Sequence, residues 1–229
     1  MPEPAILTLR AKDAAEVIAA GPQSLSLAAL RRLLTGQAGR NLGYDLGPDA
    51  KAPEYAFYAA DVTEAWHGAV HMARRFFVVL PAAALLEFDL VVAAPGAAIR
   101  WSLDGTAEGI EHRSILRPGP GGAEERLFLN LLLAAPAEVA PMSSLDLEGV
   151  RIGRQVVLFH RETGMARSSV YFDLEATGKL SFLVAGLEPG YWEVWWNGYL
   201  EETGGLVRPQ AGTLYFPGEA GSYFLRRRG

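Results

Sequence analysis

Four histidines, His67, His71, His112 and His160, are the first residues to weigh for chemistry. His67 and His71 stand four apart. On a helix that spacing can clasp one metal ion. On a strand the pair shares a face but lies roughly 13 Å apart, too far for a single ion. The segment around His71, AVHMARRFFVVL, has the composition of a strand, which favours solvated or hydrogen-bonded imidazoles over a metal site. Acids come next: Asp61, Glu64, Glu87, Asp89 and Asp104. Paired carboxylates carry glycoside hydrolysis when held at defined separations. Glu87 and Asp89 alternate with Leu86, Phe88 and Leu90, the pattern of a half-exposed strand with a polar face. Asp61 opens an Asp-Val-Thr step after an apolar run and reads as a turn whose carboxylate accepts backbone N–H groups. The chain has no G-x-S-x-G and no P-loop. GPGGAEE supplies glycines without a lysine or helix start in phosphate-binding register. No catalytic residue, metal ligand or cofactor is assigned. Tyr58, Asp61, His67 and His112 are the residues to test first for a general base and a charge-neutralising group converging in one cleft.

Binding chemistry is better represented. On a strand, His71 and Arg75 share one face while Arg74 takes the other. Arginine grips carboxylate or sulfate bidentately; charge that keeps an edge strand soluble is the competing reading. The stretch GLEPGYWEVWWNGYL, Gly186 to Leu200, holds three of the five tryptophans. Strand parity sorts them. Trp192, Val194 and Trp196 share an apolar face assigned to the core, and Tyr191, Glu193, Trp195 and Asn197 share the other. Asn197-Gly198 is a hairpin signal. Trp195 is left on the polar face, either beneath a loop or free to stack on a sugar. The candidate binding residues are Trp66, His71, Arg75, Trp101 and Trp195. The tail FLRRRG reads as a solvated terminus or a polyanion contact.

The elements that must position these residues follow from periodicity and punctuation. Asp13 with Glu16 starts a first short helix that Gly21 can stop. Ser26 can cap a second, carrying the stripe Leu27, Leu30, Leu33 and Leu34 and ending at Gly36. Residues 37–52 read as loop. From Glu54 onward short apolar runs alternate with Gly and Pro. Strands are expected near 54–60, 69–80, 84–93, 97–103, 110–117 and 126–134, then 150–160, 168–175, 179–185, 190–197, 205–208, 212–217 and 221–226. This pattern predicts a mainly β fold, an antiparallel β-sandwich with two short N-terminal helices. Residues 1–53 are expected to pack on a sandwich of residues 54–229, with a sheet crossover or linker near 134–149. Arg117 to Glu125, RPGPGGAEE, reads as a surface loop.

Bulk properties bound the rest. The 229 residues suit one large β-domain or two small ones. A net charge of −5 argues against a nucleic-acid or anionic-membrane binder. The absence of cysteine removes disulfides and thiolate chemistry. No apolar run approaches the roughly 20 residues of a membrane span. The N-terminal residues show no signal-peptide pattern, which fits a cytoplasmic chain or a piece cut from an exported one.

A family resemblance joins these threads. The step Asp61, Thr63, Ala65 and Trp66, the strand with Arg74 and Arg75 running to Pro81, then Phe88 with Asp89, and Trp101 with Leu103 together resemble the β-sandwich region of heparinase II/III-like polysaccharide lyases. The closing stretches LSFLVAGLEPGYWEVWWNG and GTLYFPGEAGSYFL are similar to the last strands of that family. The resemblance spans residues 54–229. It implies an accessory sandwich without the helical toroid that supplies catalytic groups. Asp104 stands where the family has histidine, and there is no His-Asn step, so no catalytic or zinc residue is carried over. The partner implied is an acidic polysaccharide or a catalytic chain. A stand-alone lyase or hydrolase, and a structural domain packing on another chain, are the alternatives.

Overall fold

The computed structural model describes residues 5–20, 24–34, 39–119, 122–162 and 164–229. The chain divides into two compact units, Met1–Pro136 and Ala137–Gly229. Gly21 and Gly36, expected to stop the helices, lie outside the described residues.

The N-terminal unit begins with β1 (Ala5–Arg10), which runs directly into α1 (Ala11–Ala19), followed by α2 (Leu27–Arg32). Its larger sheet uses β2 (Arg40–Gly47), β3 (Tyr55–Asp61), β4 (Val70–Leu80) and β5 (Ala84–Ala93). After β6 (Ile99–Asp104) come β7 (Glu111–Gly119) and β8 (Gly122–Leu133). Six strands form an antiparallel sheet in the order β2-β3-β4-β5-β8-β7. β1 and β6 form a separate parallel pair. One face of the large sheet packs with this ribbon and the helices. Leu7, Leu9, Val17, Ile18 and Leu30 join Tyr58, Phe77, Val79, Leu85 and Val91 in one buried cluster. Helix α1 starts two residues before the expected Asp13 cap, because β1 delivers the chain straight into it. Arg10 is its N-cap, without a side-chain bond, and Asp13 sits in the first turn, where an acid suits the helix dipole. Ser26 caps α2 as its sequence suggests, its side chain accepting from Ala29 N at 3.2 Å.

Two loops expected from composition are strand instead. β2 occupies part of 37–52: it pairs with β3 and sends Tyr44 and Leu46 to the core, so tertiary pairing overrides its Gly, Asn and Asp content. β7 and β8 extend into the RPGPGGAEE segment on either side of the undescribed residues 120–121.

The C-terminal unit is a two-sheet sandwich. Its strands are β9 (Val139–Ser143), β10 (Leu147–Ile152), β11 (Gln155–His160), β12 (Ser169–Leu174) and β13 (Leu180–Ala185). Then come β14 (Gly190–Trp196), β15 (Tyr199–Val207), β16 (Thr213–Gly218) and β17 (Gly221–Arg227). One sheet runs β16-β13-β11-β10-β9 and the other β12-β17-β14-β15. Between them Phe182, Val184, Leu214 and Phe216 meet Phe172, Trp192, Val194, Tyr223 and Leu225. The fold is mainly β, and among the described strands the pairings are antiparallel except for β1–β6 and β11–β13. The run expected as one strand over 150–160 is two, turning at Gly153 with φ 55°. Among the described residues, no helix is long and apolar enough to cross a membrane.

Candidate functional site

The structure gathers polar side chains in two places. In the N-terminal unit the sheet register sets Arg75 on β4 opposite Asp89 on β5, and Phe77 opposite Glu87. All three charged groups are buried, which corrects the polar-face reading of β5. That strand is buried on both faces: Glu87 and Asp89 share theirs with Leu85 and Val91 beneath the helices and ribbon, and Leu86, Phe88 and Leu90 are buried on the other. Charges in such a place must be paired. Arg75 Nε lies 2.8 Å from Asp89 Oδ1 and 2.9 Å from Glu87 Oε1. Its Nη2 donates to Asp89 Oδ2 at 2.9 Å, and Nη1 to the Thr8 carbonyl at 3.1 Å. Trp101 Nε1 donates to Glu87 Oε2 at 2.7 Å, and Asn130 Nδ2 adds a longer bond of 3.4 Å. Burial pushes the Glu87 carboxyl up to about 8, with the Arg75 charge opposing and Asp89 reinforcing. Burial raises Asp89 as well.

Arg75 therefore has no surface for a ligand. His71, expected on the same face, is exposed instead. The β4–β5 register shifts between Val70 and Met72, and this bulge breaks the alternation. Trp101 stacks on exposed His112 at 4.9 Å between ring centroids. Trp66 is partly buried against the helical side of the core. His71 instead borders an open groove of about 620 Å³ with Arg40, Asp61, Thr63, Glu64 and Met72. There Asp61 Oδ1 accepts from Thr63 N at 3.1 Å and Thr63 Oγ1 at 2.6 Å. Thr63 Oγ1 in turn accepts from Ala73 N at 2.9 Å. The Asp-x-Thr step thus fastens a turn to β4. Partial burial works against ionisation of Asp61, but the Thr63 and Arg40 hydrogen bonds hold its carboxyl below the usual range.

The four residues considered for catalysis do not share a cleft. Tyr58 is fully buried. Asp61 ends β3, and His112 lies on β7, four strands away in the sheet, or roughly 19 Å at ordinary strand spacing. His67 and His71 occupy a turn and a strand, not one helix. Among the described residues, no group of three or more His, Asp or Glu is placed to hold a metal ion.

The second constellation is the outer face of the sheet β12-β17-β14-β15, and it contains Trp195. β14 obeys the expected parity: Trp192 and Val194 are fully buried, and Trp196 packs at the core margin with Nε1 donating to the Ala220 carbonyl. Asn197 and Gly198, at φ 48° and 86°, make the tight turn. On the other face the register aligns Tyr171, Phe224, Trp195 and Leu200, one from each strand. Tyr171, Phe224 and Leu200 are 45%, 38% and 50% exposed. The row spans three inter-strand gaps, roughly 14 Å.

Charges flank this row on both sides. On one, Asp173 Oδ1 accepts from Tyr171 Oη and Ser222 Oγ, each at 2.6 Å. On the other, Glu193 is the hub. Its Oε2 accepts from Arg226 Nη2 at 2.8 Å, Arg226 Nε at 3.2 Å and Trp195 Nε1 at 3.2 Å, and its Oε1 from Arg228 Nε at 2.8 Å. The hydrogen bonds from Arg226 and Trp195, with that from Arg228, hold the Glu193 carboxyl below the usual range. Glu193 is 6% exposed, whereas Arg226 and Arg228 are 52% and 65% exposed. The Arg226 guanidinium lies 5.5 Å from the Trp195 ring and that of Arg228 5.6 Å from Tyr191. An adjoining pocket of about 360 Å³ is lined by Tyr191, Glu193, Leu200, Glu201, Gly204 and Arg228. Sequence reading reaches Trp195 by parity and the two arginines only as a tail open to polyanion contact; it misses Tyr171 and Phe224 as neighbours of Trp195. They come from strands 20 or more residues away, and only the register assembles them.

Residues 142–227 match the family model of the Heparinase II C-terminal domain. This interval lies within the C-terminal unit and contains the whole aromatic row, Glu193 and Arg226. No curated protein matches the chain.

Proposed function

Because the C-terminal unit carries a heparinase II C-terminal domain, a module related to polysaccharide lyases, we propose that it is a non-catalytic binding module for acidic polysaccharide. The observation that carries this reading is the outer face of β12-β17-β14-β15. Exposed Tyr171 and Phe224 line up with half-buried Trp195 across the strands, and two exposed arginines lie beside them in a chain whose net charge is −5. Ring faces stack on the apolar surfaces of sugars, and arginine pairs with carboxylate or sulfate. Arg226, Arg228 and Glu193 together carry one net positive charge at one end of the row, which Asp173 offsets at the other, so the arginine end is where an anionic group of a sugar would be held.

The wide separation of Asp61 and His112, with Tyr58 in the core, gives a stand-alone lyase no geometric support. The alternative of a docking surface for another chain draws on Tyr199, Leu200 and Leu206, which are exposed on β15. The arginines favour the glycan.

The test is affinity electrophoresis of the whole chain in gels containing polygalacturonate, alginate or hyaluronan, with dextran as the neutral control. Retardation by at least one uronate polymer and not by dextran is expected. Trp195→Ala should weaken that interaction on the order of tenfold, about 1.4 kcal/mol. Equal mobility in all gels would remove the glycan reading in favour of protein docking.

A further inference from the structure

The arginines of this face are built as one device, and the part that builds them is an acid. Glu193 lies opposite the register shift between Trp192 and Val194 in the β14–β15 pairing. On its other side it is paired with Arg226 of β17. Almost no solvent reaches its carboxylate, and both oxygens are occupied by guanidinium or indole donors. Arg226 uses Nε and Nη2 on Glu193, and Arg228 uses Nε. The outer edges of both guanidinium groups remain at the exposed surface, each beside an aromatic ring. Free arginine side chains on a surface sample many rotamers, and ordering them on binding costs affinity.

Resting on the glycan reading above, we propose that Glu193 is the positioning residue of an anion clamp. It draws Arg226 and Arg228 from two sides and aims their outer nitrogens at the carboxylate of a bound uronate. Asp173 on the far side of the aromatic row repels that carboxylate, so the acidic edge of the sugar turns toward the clamp. Arg226 and Arg228 contact the ligand; Glu193 acts only through them.

The clamp and a simple positive patch make opposite predictions. Glu193→Gln adds one positive charge to the face, so a patch would bind polyanions more tightly. A clamp loses its orientation and binds more weakly, on the order of tenfold. Glu193→Asp keeps the charge but is one methylene too short to serve both arginines. It should also weaken binding, whereas a patch would be unaffected. Arg228→Gln, at an exposed side chain, should cost as much as Glu193→Gln and little more when the two are combined.

The experiment measures the whole chain and these variants on polygalacturonate, alginate and hyaluronan, with thermal unfolding alongside. Weakening by both Glu193 substitutions with unfolding temperatures held supports the clamp. If Glu193→Gln unfolds, Glu193→Asp and Arg228→Gln carry the comparison. Wild-type binding that Glu193→Gln or Glu193→Asp leaves equal or tighter would overturn the clamp alone. A wild type bound by none of the three polymers would overturn the glycan reading itself.

Discussion

Arg75, Glu87 and Asp89 place two carboxylates and one guanidinium in a space that solvent does not reach. The guanidinium is what makes the pair of acids tolerable there. Arg75→Met leaves both carboxylates buried without a cation, and the expected loss is about 3–5 kcal/mol of folding stability, measured by denaturant unfolding of the whole chain. A loss below about 1 kcal/mol would show that solvent reaches the cluster. The pH dependence has a definite sign. Glu87 titrates near 4.5 when unfolded and at about 8 when folded. Between those values the folded state binds more protons, so stability falls as pH rises. In Glu87→Gln that fall should be shallower, with Asp89 supplying the remainder. Unfolding temperatures at pH 5 and pH 8 check it, and an unchanged difference would assign the slope elsewhere. The alternation of Glu87 and Asp89 is plain in the sequence. That the face they share is covered by α1 and the β1–β6 ribbon is not, because nothing local in β5 announces a parallel strand pair from elsewhere in the chain.

Among the elements, β14 is the most legible. Its alternation sorts Trp192 and Val194 from Trp195, and its Asn-Gly turn is written in two adjacent residues. β2 is the least legible, since a strand rich in Gly, Asn and Asp exists only because β3 offers it a ladder. The candidate face lies between these cases. One strand contributes Trp195, but the row needs four, and their registers are fixed by core packing on the opposite side. Close backbone contact limits β10 in the same way. A Cβ on Gly149 would lie 2.0 Å from the Val157 carbonyl oxygen, so Gly149→Ala must move one strand of the β10–β11 pair. A destabilisation of about 1–3 kcal/mol is expected from such overpacking. An unfolding temperature equal to wild type would mean that β10 shifts freely.

At the scale of the molecule, the net charge of −5 and the two exposed arginines on one face pull in opposite directions. A chain of this net charge offers a polyanion no long-range attraction, so the proposed binding would depend on contact with the rings and the arginines. Affinity for a uronate polymer should fall with salt, because the arginines are exposed and screened. Excess duplex DNA should not displace the polymer, since backbone phosphate binding requires many cations. Competition by DNA at comparable concentration would reduce the face to a non-specific anion site. The family match, residues 142–227, lies within the C-terminal unit, which also carries the proposed binding face.

The most direct measurement is the affinity of the whole chain for polygalacturonate, alginate and hyaluronan, compared with Trp195→Ala and the double variant Arg226→Ala/Arg228→Ala. The account predicts retention of wild type by at least one of these polymers and none by dextran, weaker retention for Trp195→Ala and loss for the double variant, with all three proteins folded. Retention that survives both substitutions, or no retention of the wild type, would contradict it.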